Sequence, residues 1–532
     1  MQISDAAERY GIATRKFRWK GHDLLSLYFL AAVWIIALLI LPNALWQPRL
    51  NRVVLLIGIM SAWRYSWLVL NVCRAAYFGK VKFPKMRRSA DQLWDSGWRP
   101  NHIHFMVTTY HEQPFTTEKH LQSIISELTH LNADREENPA YPPIQGTIWL
   151  GVGARYDEEV IEQWMETAHC PYLDVVIVRQ NQPGKRAAIA LILRALSRRG
   201  VHPDDIAFMM DGDSILGNGA IQKCASIFGA YPTIKALTTD EDVICEGPSW
   251  VKEFLSMRFA QRRLWMQSHA VSDRVLTLTG RMSGFRATSL IEKEFIRMVE
   301  ADHLNHWLWG SFRFLSGDDK STWYALLKQE ARMTYVPDAI VYTIEHIKGN
   351  GVKRMRDNLK RWSGNMLRNG LRAIMLGPRC TGIYIWICLI DQRVSIWTVL
   401  AGFSTAILIS LFVTPTFIIT YLLWIIFSRL LMSVAIYFYS DRIHVSYPFM
   451  LYIAQITVAM LKVYMMFRLP QQQWVNRMNQ RMGDDVMNKP GLRLTALYIN
   501  WFYIILMLTI VMMGTGILKM PDGLGVWSAI HW

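Results

Sequence analysis

Long apolar runs lie near both ends of the chain and are missing from its middle. They cover Leu24–Leu41 and Val53–Phe78 on one side, and Val394–Val413, Phe417–Tyr439 and Leu494–Met513 on the other. Each run is long enough to form a helix that crosses the hydrocarbon core of a bilayer. The pattern therefore predicts five membrane-spanning helices, two before and three after a central region of mixed composition.

A sixth apolar run, 447–467, is followed by a basic loop at 468–493. Short basic loops stay on the cytoplasmic side of a membrane, and Arg442 places the preceding loop on that side as well. Because both ends are expected on one side, we predict that this run lies flat or re-enters instead of crossing. The basic residues before Leu24 likewise predict a cytoplasmic N-terminus.

Three basic residues, Arg64, Arg429 and Lys462, lie inside these apolar runs. A charge within the bilayer is costly unless it faces a partner or a water-filled path. Structural pairing explains Arg64 as well as a functional role does. All three residues are candidates to line a polar path through the membrane.

Residues 80–350 alternate short apolar runs with helical patterns. The runs 102–110, 146–153, 174–180 and 205–211 are typical of buried strands. Helical segments between them favour a mostly parallel α/β sheet that is covered on both faces. Ligands bind such sheets at the carboxyl ends of the strands, so the polar residues that follow each run are candidates for chemistry.

A basic, amphipathic pattern begins at Lys353, and 381–393 is a second candidate of this kind. Both segments predict helices that lie on a membrane surface. The patterns together divide the chain into six parts: an N-terminal tail with two spans (1–79), an α/β domain (80–350), interfacial helices (351–393), a hairpin of spans (394–440), a re-entrant helix with a cytosolic loop (441–493) and a last span with its tail (494–532).

Composition narrows the class of protein. The chain has 532 residues and a net charge of +16. Its basic residues flank the apolar runs, which indicates membrane orientation and argues against nucleic acid as a partner. The six cysteines show neither metal-ligand spacing nor a disulfide framework, which suits a reducing, cytoplasmic side.

Polar residues follow three of the predicted strands. Asp211 and Asp213 end the fourth strand, and two carboxylates there suit Mg²⁺ or Mn²⁺ held against phosphate oxygens. A D-G-D-S stretch is also an ordinary turn, so this pair alone is a weak signal. Further candidates follow the first strand (Thr109, Tyr110, His111, Glu112) and the third (Gly184, Lys185, Arg186). Cations at a helix N-terminus suit a diphosphate, although a solvated helix start would look the same.

Two later pairs complete the set of candidates. Asp318 and Asp319 precede an apolar helical pattern, where one acid can be a general base and the other its orienter; a helix cap would also explain them. Arg361 and Trp362 lie on the basic amphipathic segment, where a cation and a flat ring suit a phosphate and a sugar. Tryptophan at a membrane interface is otherwise ordinary.

The order of these elements resembles the membrane-integrated family 2 glycosyltransferases, which include the cellulose, chitin, hyaluronan and alginate synthases. The resemblance covers nearly the whole chain. It implies a cytosolic GT-A-like domain, of Rossmann type with a mostly parallel sheet, inserted in an α-helical transmembrane domain with interfacial helices. It also implies a nucleotide-sugar donor, a Mg²⁺ or Mn²⁺ cofactor, a growing polysaccharide and contact with membrane lipids.

The resemblance assigns a role to each candidate residue. Nucleotide binding goes to Thr109, Tyr110, Glu112, Gly184, Lys185, Arg186, Asp211 and Arg361; metal binding to Asp211 and Asp213; base catalysis to Asp319, beside Asp318; acceptor binding to Asn358, Trp362 and Arg281; and a gating loop to Trp474 and Arg477. Asn358 stands where the family motif has Gln. The usual Asp-Asp-Gly element after the second strand is missing from 151–155, and Asp157 is the nearest acid. Base recognition must therefore differ, which weakly favours a purine donor.

Within the family, the stretches 316–323 and 361–378 are most similar to the alginate synthases. This similarity implies a processive, inverting enzyme of the bacterial inner membrane that makes polymannuronate from GDP-mannuronate and moves it across the membrane. It also implies a cyclic-dinucleotide-binding (PilZ-type) co-polymerase and periplasmic export proteins as partners. A UDP-sugar-dependent glucan or hyaluronan-like synthase, a non-processive lipid-carrier transferase and an inactive transport or scaffold subunit remain alternatives.

Overall fold

The computed structural model describes residues 21–45, 51–139, 141–180, 184–347, 349–440, 443–474 and 480–518. The chain divides into two compact units. The sheet unit comprises residues 1–17, 71–390 and 469–488, and the helical unit comprises 18–70, 391–468 and 489–532. Two of the boundaries between the units fall inside helices, Asn51–Tyr77 and Ile383–Phe412.

Strands and helices alternate in the first half of the sheet unit, as the sequence predicts. In chain order they are α1 Gly21–Leu45, α2 Asn51–Tyr77, α3 Phe83–Asp95, β1 His102–Thr109, α4 Pro114–Glu137, β2 Gln145–Val152, α5 Arg155–Thr167, β3 Leu173–Arg179, α6 Lys185–Arg199, β4 Ile206–Asp211, β5 Ser214–Leu216, α7 Ala220–Ala230, β6 Ile234–Glu246 and α8 Ser249–Ala270. A one-turn π-helix, Phe78–Lys82, joins α2 to α3.

The second half continues with β7 Met282–Arg286, α9 Lys293–Ala301, β8 His303–His306, β9 Gly310–Arg313, α10 Asp318–Lys328, β10 Arg332–His346, α11 Gly351–Met375, α12 Gly377–Thr381, α13 Ile383–Phe412, α14 Phe417–Tyr437, α15 Tyr447–Met466, β11 Gln472–Trp474, β12 Gln480–Met482, α16 Asp484–Met487 and α17 Pro490–Gly514.

The central sheet has eight strands in the order β3-β2-β1-β4-β7-β6-β10-β5. The neighbours β3, β2, β1 and β4 are parallel, whereas β7 and β5 run antiparallel to their neighbours. Every residue of β1 and β2 after the first is buried, because helices cover both faces of a sheet of this kind. The predicted mostly parallel α/β fold is confirmed.

The helices of the membrane segments differ from the prediction at two places. Segment 381–393, for which we predict a separate surface helix, is continuous from Ile383 onward with the following span as α13. Five of the described helices are long and apolar enough to cross a membrane: α1, α13, α14, α15 and α17. They include α15, which we expected not to cross, and they do not include α2, which we counted as a span. Neither the predicted orientation nor the re-entry of α15 is tested by these lengths.

Candidate active site

The carboxyl ends of β1 and β4 meet at one edge of the sheet. Their parallel register pairs Thr108 with Asp211, and the backbone N–H of Gly212 donates to the Thr108 carbonyl at 3.1 Å. The polar residues after β1 and the acids after β4 are therefore neighbours, as the parallel sheet predicts. Asp211 closes its strand with a partly exposed side chain.

Lys185 joins two of the predicted acidic elements. Its Nζ lies 2.5 Å from Oδ1 of Asp211 and 2.8 Å from Oδ2 of Asp318. Gly184 precedes α6 with a φ of 124°, a conformation that favours glycine, so the chain turns there and directs Lys185 into the site. The segment that contains Asp318, about a hundred residues after Asp211 in the sequence, is thereby brought to the end of β4.

The two neighbouring acids of α10 have opposite pKa shifts. Burial raises the pKa of Asp319, and the charge of Asp318 raises it further. Burial also opposes ionisation of Asp318, but Lys185 and Arg186 outweigh it and hold the pKa of Asp318 below its usual range. Burial likewise opposes the charge of Lys185, and Asp211 and Asp318 overcome it and raise the pKa of this lysine. The site therefore contains an ionised Asp318–Lys185 pair beside a more basic carboxylate.

A small cavity of about 20 Å³ adjoins this cluster, with Lys185, Gly280, Asp318 and Asp319 in its lining. A volume of this order holds one water molecule. Lys320 follows the acids, and its Nζ donates to the Leu276 carbonyl at 2.7 Å. Burial lowers the pKa of Lys320 to about 8, against the charge of Asp319.

The loop before Asp318 is held by α11. Gly317 has a φ of 86°, and a Cβ at this position would lie 2.9 Å from Cγ of Asn365, so both the backbone and the space require glycine. The Ser316 hydroxyl donates to Oδ1 of Asn365 at 3.0 Å, and Arg368 donates to the same oxygen at 2.6 Å. The position of the two acids therefore depends on the helix that carries Arg361 and Trp362.

Arg186 is buried, and its guanidinium contacts groups of the protein interior. Its buried guanidinium donates to the carbonyls of Val299 and Ser316 at 3.0 and 3.2 Å, and to the Ser321 hydroxyl at 2.9 Å. Burial lowers the pKa of Arg186. The guanidinium thus ties α6 to the Asp318 loop, and these contacts favour a positioning role over the diphosphate contact that the resemblance implies.

The acids at the end of β4 suit a divalent cation. A Cβ at Gly280 would lie 3.1 Å from Oδ2 of Asp211, so this glycine leaves room beside the carboxylate. Among the described residues, no group of three or more His, Cys, Asp or Glu side chains forms a metal site. Asp211 and Asp213 would therefore share a cation with water and phosphate oxygens, which is how Mg²⁺ is usually bound.

Helix α11 carries the predicted residues Asn358, Arg361 and Trp362 within one turn. Arg361 and Trp362 lie three and four residues after Asn358, so both lie on the same side of the helix as Asn358. Burial lowers the pKa of Arg361, while Asp319, Asp211 and Asp318 act to raise it, so this guanidinium lies within electrostatic reach of all three acids. The Trp362 side chain is 38% exposed and available to a ligand.

Arg281 lies beside the site but is already paired. Its Nη1 lies 2.9 Å from Oε2 of Glu241, and its guanidinium stacks 4.7 Å from the centre of the Phe259 ring. Burial opposes the charge of Arg281, but Glu241, Glu345 and Asp213 raise its pKa. The structure thus places Arg281 near the acids and gives it a structural partner that the sequence did not indicate.

Asp157 holds the loop that follows β1. Its carboxylate accepts hydrogen bonds from the backbone N–H of His111 at 2.7 Å and of Glu112 at 3.3 Å. His111 has a φ of 51°, in the left-handed region, and Asp157 is buried. The nearest acid to the missing Asp-Asp-Gly element therefore positions Tyr110–Glu112 through the backbone.

The predicted gating segment is only partly described. Trp474 ends β11, its side chain is not described, and Arg477 lies outside the described residues. Gln472, two residues earlier, accepts from the Leu315 N–H at 2.9 Å and donates to the Arg313 carbonyl at 2.8 Å. This segment thus contacts the chain that leads to Asp318.

The basic residues inside the helical unit have different surroundings. Nη1 of Arg64 lies 2.7 Å from Oδ1 of Asp391, and Nη2 donates to the Thr398 hydroxyl at 3.1 Å. This pairing favours the structural explanation of Arg64 that the sequence left open. Arg429 on α14 is half-buried, and its Nε has no hydrogen-bond partner within the described part of the chain. Lys462 is half-buried on α15.

Residues around Asp302 and on α11 support the site, and we do not predict them from the sequence. Ser321 donates to the buried Asp302, and Nη1 of Arg372 lies 2.9 Å from the same carboxylate. Asn365, Arg368 and Arg372 are separated by three and four residues, which places them on one face of α11. That spacing of buried polar residues is the signal that could have identified them.

Comparisons with known proteins agree with this arrangement. Residues 100–365 match the family model described as glycosyltransferase like family 2. A relative named glycosyltransferase alg8, from Pseudomonas syringae pv. tomato, is 36% identical over 85% of this chain and 89% of its own length. Another protein of that name, from Azotobacter vinelandii, is 34% identical over 89% of this chain and 93% of its own length.

Solved structures give weaker matches. A mannosyltransferase from Pyrobaculum calidifontis in complex with GDP-Man and Mn²⁺ is 16% identical, covers 75% of this chain and 96% of that one, and has a TM-score of 0.39. GalNAc-T7 with UDP, GalNAc and Mn²⁺ is 11% identical, covers 47% and 45%, and has a TM-score of 0.30. Scores this low support no inference about this chain's ligand.

The family match and the two relatives extend over the same strands, acids and α11 helix that form the site. They confirm the resemblance that the motifs indicate. This chain therefore belongs to glycosyltransferase family 2 and, within that family, groups with the alg8 glycosyltransferases of the alginate-synthase type.

Proposed function

We propose that this enzyme polymerises GDP-mannuronate into an alginate-type polymannuronate by an inverting, processive reaction. The observation that carries the proposal is the Asp318–Asp319 pair at the start of α10, which Lys185 joins to the end of β4. One acid is ionised and paired with Lys185, and the other has a raised pKa and lines the adjoining cavity. The names of the two relatives support the choice of polymer.

Asp319 is the proposed general base. A carboxylate with a raised pKa is a better proton acceptor than an ordinary aspartate. It takes the proton from the acceptor hydroxyl as that oxygen attacks the anomeric carbon of the donor. A new glycosidic bond forms with inverted configuration, the bond to the diphosphate breaks, and the nucleoside diphosphate leaves with the electron pair.

Lys185 and Arg361 stabilise the charge that develops on the leaving diphosphate. Both cations lie within reach of the acids at the end of β4, in a site where burial strengthens electrostatic interactions. A divalent cation held by Asp211 and Asp213 would supply further charge neutralisation when bound. Thr109, Tyr110 and Glu112, on the loop that Asp157 holds, remain the proposed contacts to the nucleotide.

The acceptor end of the polymer is proposed to lie on α11, against the exposed ring of Trp362 and near Asn358. Elongation would then move the polymer through the helical unit, with the catalytic site on the cytosolic side of a bacterial inner membrane. The long apolar helices support a membrane protein. Processivity, export, gating by Trp474 and Arg477, and a PilZ-type co-polymerase and periplasmic export proteins as partners rest on the family resemblance.

Donor turnover tests the proposal. Membrane vesicles that contain the full chain would receive Mg²⁺ or Mn²⁺ and, in separate reactions, GDP-mannuronate, UDP-glucose, UDP-glucuronate or UDP-N-acetylglucosamine. We expect nucleoside diphosphate release from GDP-mannuronate only. Asp319→Asn should reduce this rate by roughly 10²- to 10⁴-fold, the usual contribution of a general base. Asp95→Asn, at an exposed acid of α3, is the matched control.

The outcomes separate the parts of the proposal. Release from a UDP-sugar with loss in Asp319→Asn would keep the mechanism and overturn the polymer. Full release by the Asp319→Asn variant would overturn the assigned base.

A further inference from the structure

The ends of β1, β2 and β3 lie side by side next to the candidate active site. The register pairs Thr109 with Val152, and Val152 with Arg179. The residues that follow these strands, Tyr110, Gly153 and Gln180, are therefore neighbours, and we call them the strand-end cradle. The Gln180 N–H donates to the Val152 carbonyl at 3.1 Å, which extends the ladder by one residue.

Gly153 brings the other two members of the cradle together. A Cβ at this position would lie 2.7 Å from Nε2 of Gln180 and 3.2 Å from Cδ2 of Tyr110. Its φ lies outside the left-handed region, so the backbone itself does not require glycine. The missing side chain instead allows the Gln180 carboxamide and the Tyr110 ring to approach each other across the end of β2.

The Gln180 carboxamide has hydrogen-bonding capacity that the described part of the chain does not use. Its Oε1 is buried and has no hydrogen-bond partner among the described residues. Buried polar atoms of folded proteins are nearly always paired, and an exception calls for an explanation such as a ligand. A carboxamide offers an acceptor next to a donor group, so it suits a ligand edge with a donor next to an acceptor.

The nearby acids are engaged elsewhere. Asp157 accepts from the backbone N–H groups of His111 and Glu112. Glu158, the next residue on α5, forms an ion pair with Arg179. Neither carboxylate faces the cradle as an available acceptor, and Gln180 has a buried acceptor without a hydrogen-bond partner among the described residues.

The strand-end cradle lies at a distance from Asp211 that a bound nucleotide would span. The sheet order places β1 between the end of β2 and Asp211 on β4. Neighbouring strands are about 4.8 Å apart, so two spacings, roughly 10 Å, separate Gly153 from the metal-binding edge. This separation is comparable with the length of a nucleoside diphosphate whose phosphates lie at Asp211.

We propose that Gln180 recognises the nucleobase of the donor, at the base edge where a ring N–H lies next to a carbonyl oxygen. Oε1 accepts from the ring N–H, Nε2 donates to the carbonyl oxygen, and the Tyr110 ring supplies a surface on which the base stacks. Guanine and uracil both present this edge. Adenine presents the reverse order, an amino donor beside a ring-nitrogen acceptor, which a carboxamide held in this orientation does not match. The inference rests on the proposed function, because it requires a nucleotide-activated donor.

Nucleotide binding by the full chain in detergent, measured by calorimetry with GDP, UDP and ADP in the presence of Mg²⁺, tests this role. We expect the wild type to bind GDP more tightly than ADP. Gln180→Met keeps the length of the side chain and removes its hydrogen bonds. It should weaken GDP binding by roughly 5- to 150-fold, the range for one bidentate contact to a base, and leave ADP binding unchanged. Gln163→Met, at an exposed position of α5, is the matched control.

ADP binding shows whether the variant is folded, so each outcome has one meaning. An equal loss of GDP and ADP affinity would assign Gln180 a merely structural role and overturn the inference. A retained GDP preference in Gln180→Met would overturn it as well, as would a wild type that binds all three nucleotides equally. A wild type that prefers UDP, with that preference lost in Gln180→Met, would support the role of Gln180 and overturn GDP-mannuronate as the donor.

Discussion

Asp318 and Asp319 are adjacent residues of one helix, and their surroundings give them different tasks. Asp318 contacts Lys185 and stays ionised, whereas Asp319 has the charge of Asp318 next to it and a raised pKa. Two titratable groups whose pKa values are pushed apart are typical of acid–base catalysis. The pair therefore fits the proposed roles, in which Asp318 holds the site together and Asp319 accepts the proton.

The pH dependence of the rate follows from this pair. Asp319 accepts a proton only when it is ionised, so kcat/KM should fall as the pH decreases through its raised pKa. Asp318→Asn removes the negative neighbour, which lowers the pKa of Asp319 and moves this acidic limb to lower pH. The measurement is the pH profile of nucleoside diphosphate release by both proteins. A limb that stays in place, or moves to higher pH, would show that another group titrates.

At the scale of single residues, the sequence predicted which side chains meet but not all of their contacts. The carboxyl ends of parallel strands share an edge, so the pairing of Thr108 with Asp211 follows from strand order. The direction of Arg186 does not, because the first turn of a helix can direct a side chain either outward or into the core. The sequence marks Asp157 only as the acid nearest to the missing Asp-Asp-Gly element, because a hydrogen bond between a carboxylate and the backbone leaves no pattern in the sequence.

Elements of the sheet unit position the catalytic acids, and Arg186 is the clearest case. Arg186→Met removes three hydrogen bonds that join α6 to α9, to the loop before Asp318 and to α10. We expect kcat to fall by about tenfold or more, since small displacements of reacting groups are costly. The affinity for GDP should not change, because the guanidinium faces the interior. Calorimetric GDP binding and single-turnover rates measure the two effects.

Arg198→Met, at the exposed end of the same helix, is the control for this experiment. A loss of GDP affinity in Arg186→Met, without a loss in Arg198→Met, would restore the direct diphosphate contact that the sequence suggested.

The loop after β1 depends on α5 in the same way. Asp157→Ala removes the acceptor for two backbone N–H groups, each charge-assisted hydrogen bond contributing roughly 1.5–3 kcal/mol. We expect a higher donor KM and a lower thermal unfolding temperature, with a smaller effect for Asp157→Asn, which keeps one oxygen. Donor kinetics and thermal unfolding check this. Glu159→Ala, at an exposed acid of α5, should change neither, and an unaltered KM in Asp157→Ala would contradict the role.

Element boundaries in the membrane segments were harder to predict than those of the sheet. The apolar strands have clear ends because polar turn residues follow them. In α13, Asp391 and Arg393 interrupt the apolar run, which suggested a boundary near 393, yet the helix is continuous. Asp391 is paired with Arg64 of α2, and a paired charge does not end a helix.

At the scale of the whole molecule, the division into a sheet unit and a helical unit follows the apolar pattern of the sequence. What the pattern could not supply is the partner of each charge inside the helical unit, because helix neighbours are set by packing. The Arg64–Asp391 pair is the example, with side-chain exposures of 26% and 12%.

A double-mutant cycle tests whether this pair is structural. Arg64→Met and Asp391→Leu should each lower the yield and thermal stability of the membrane protein, because each leaves a half-buried charge without its partner. The double variant should recover part of the loss, with a coupling of roughly 0.5–3 kcal/mol. Thermal unfolding in detergent measures it. Additive losses, or stable variants that make shorter polymer, would instead favour a place for Arg64 in the polymer path.

We propose that this enzyme builds a polymer by inverting transfer from a nucleotide-activated sugar. The most direct test is the size and linkage of the product made from GDP-mannuronate by vesicles that contain the full chain, with any subunit that co-purifies. We expect long chains whose linkages have the configuration opposite to that of the donor, and no polymer with Asp319→Asn. A single sugar attached to a lipid carrier, or linkages that retain the donor configuration, would contradict it.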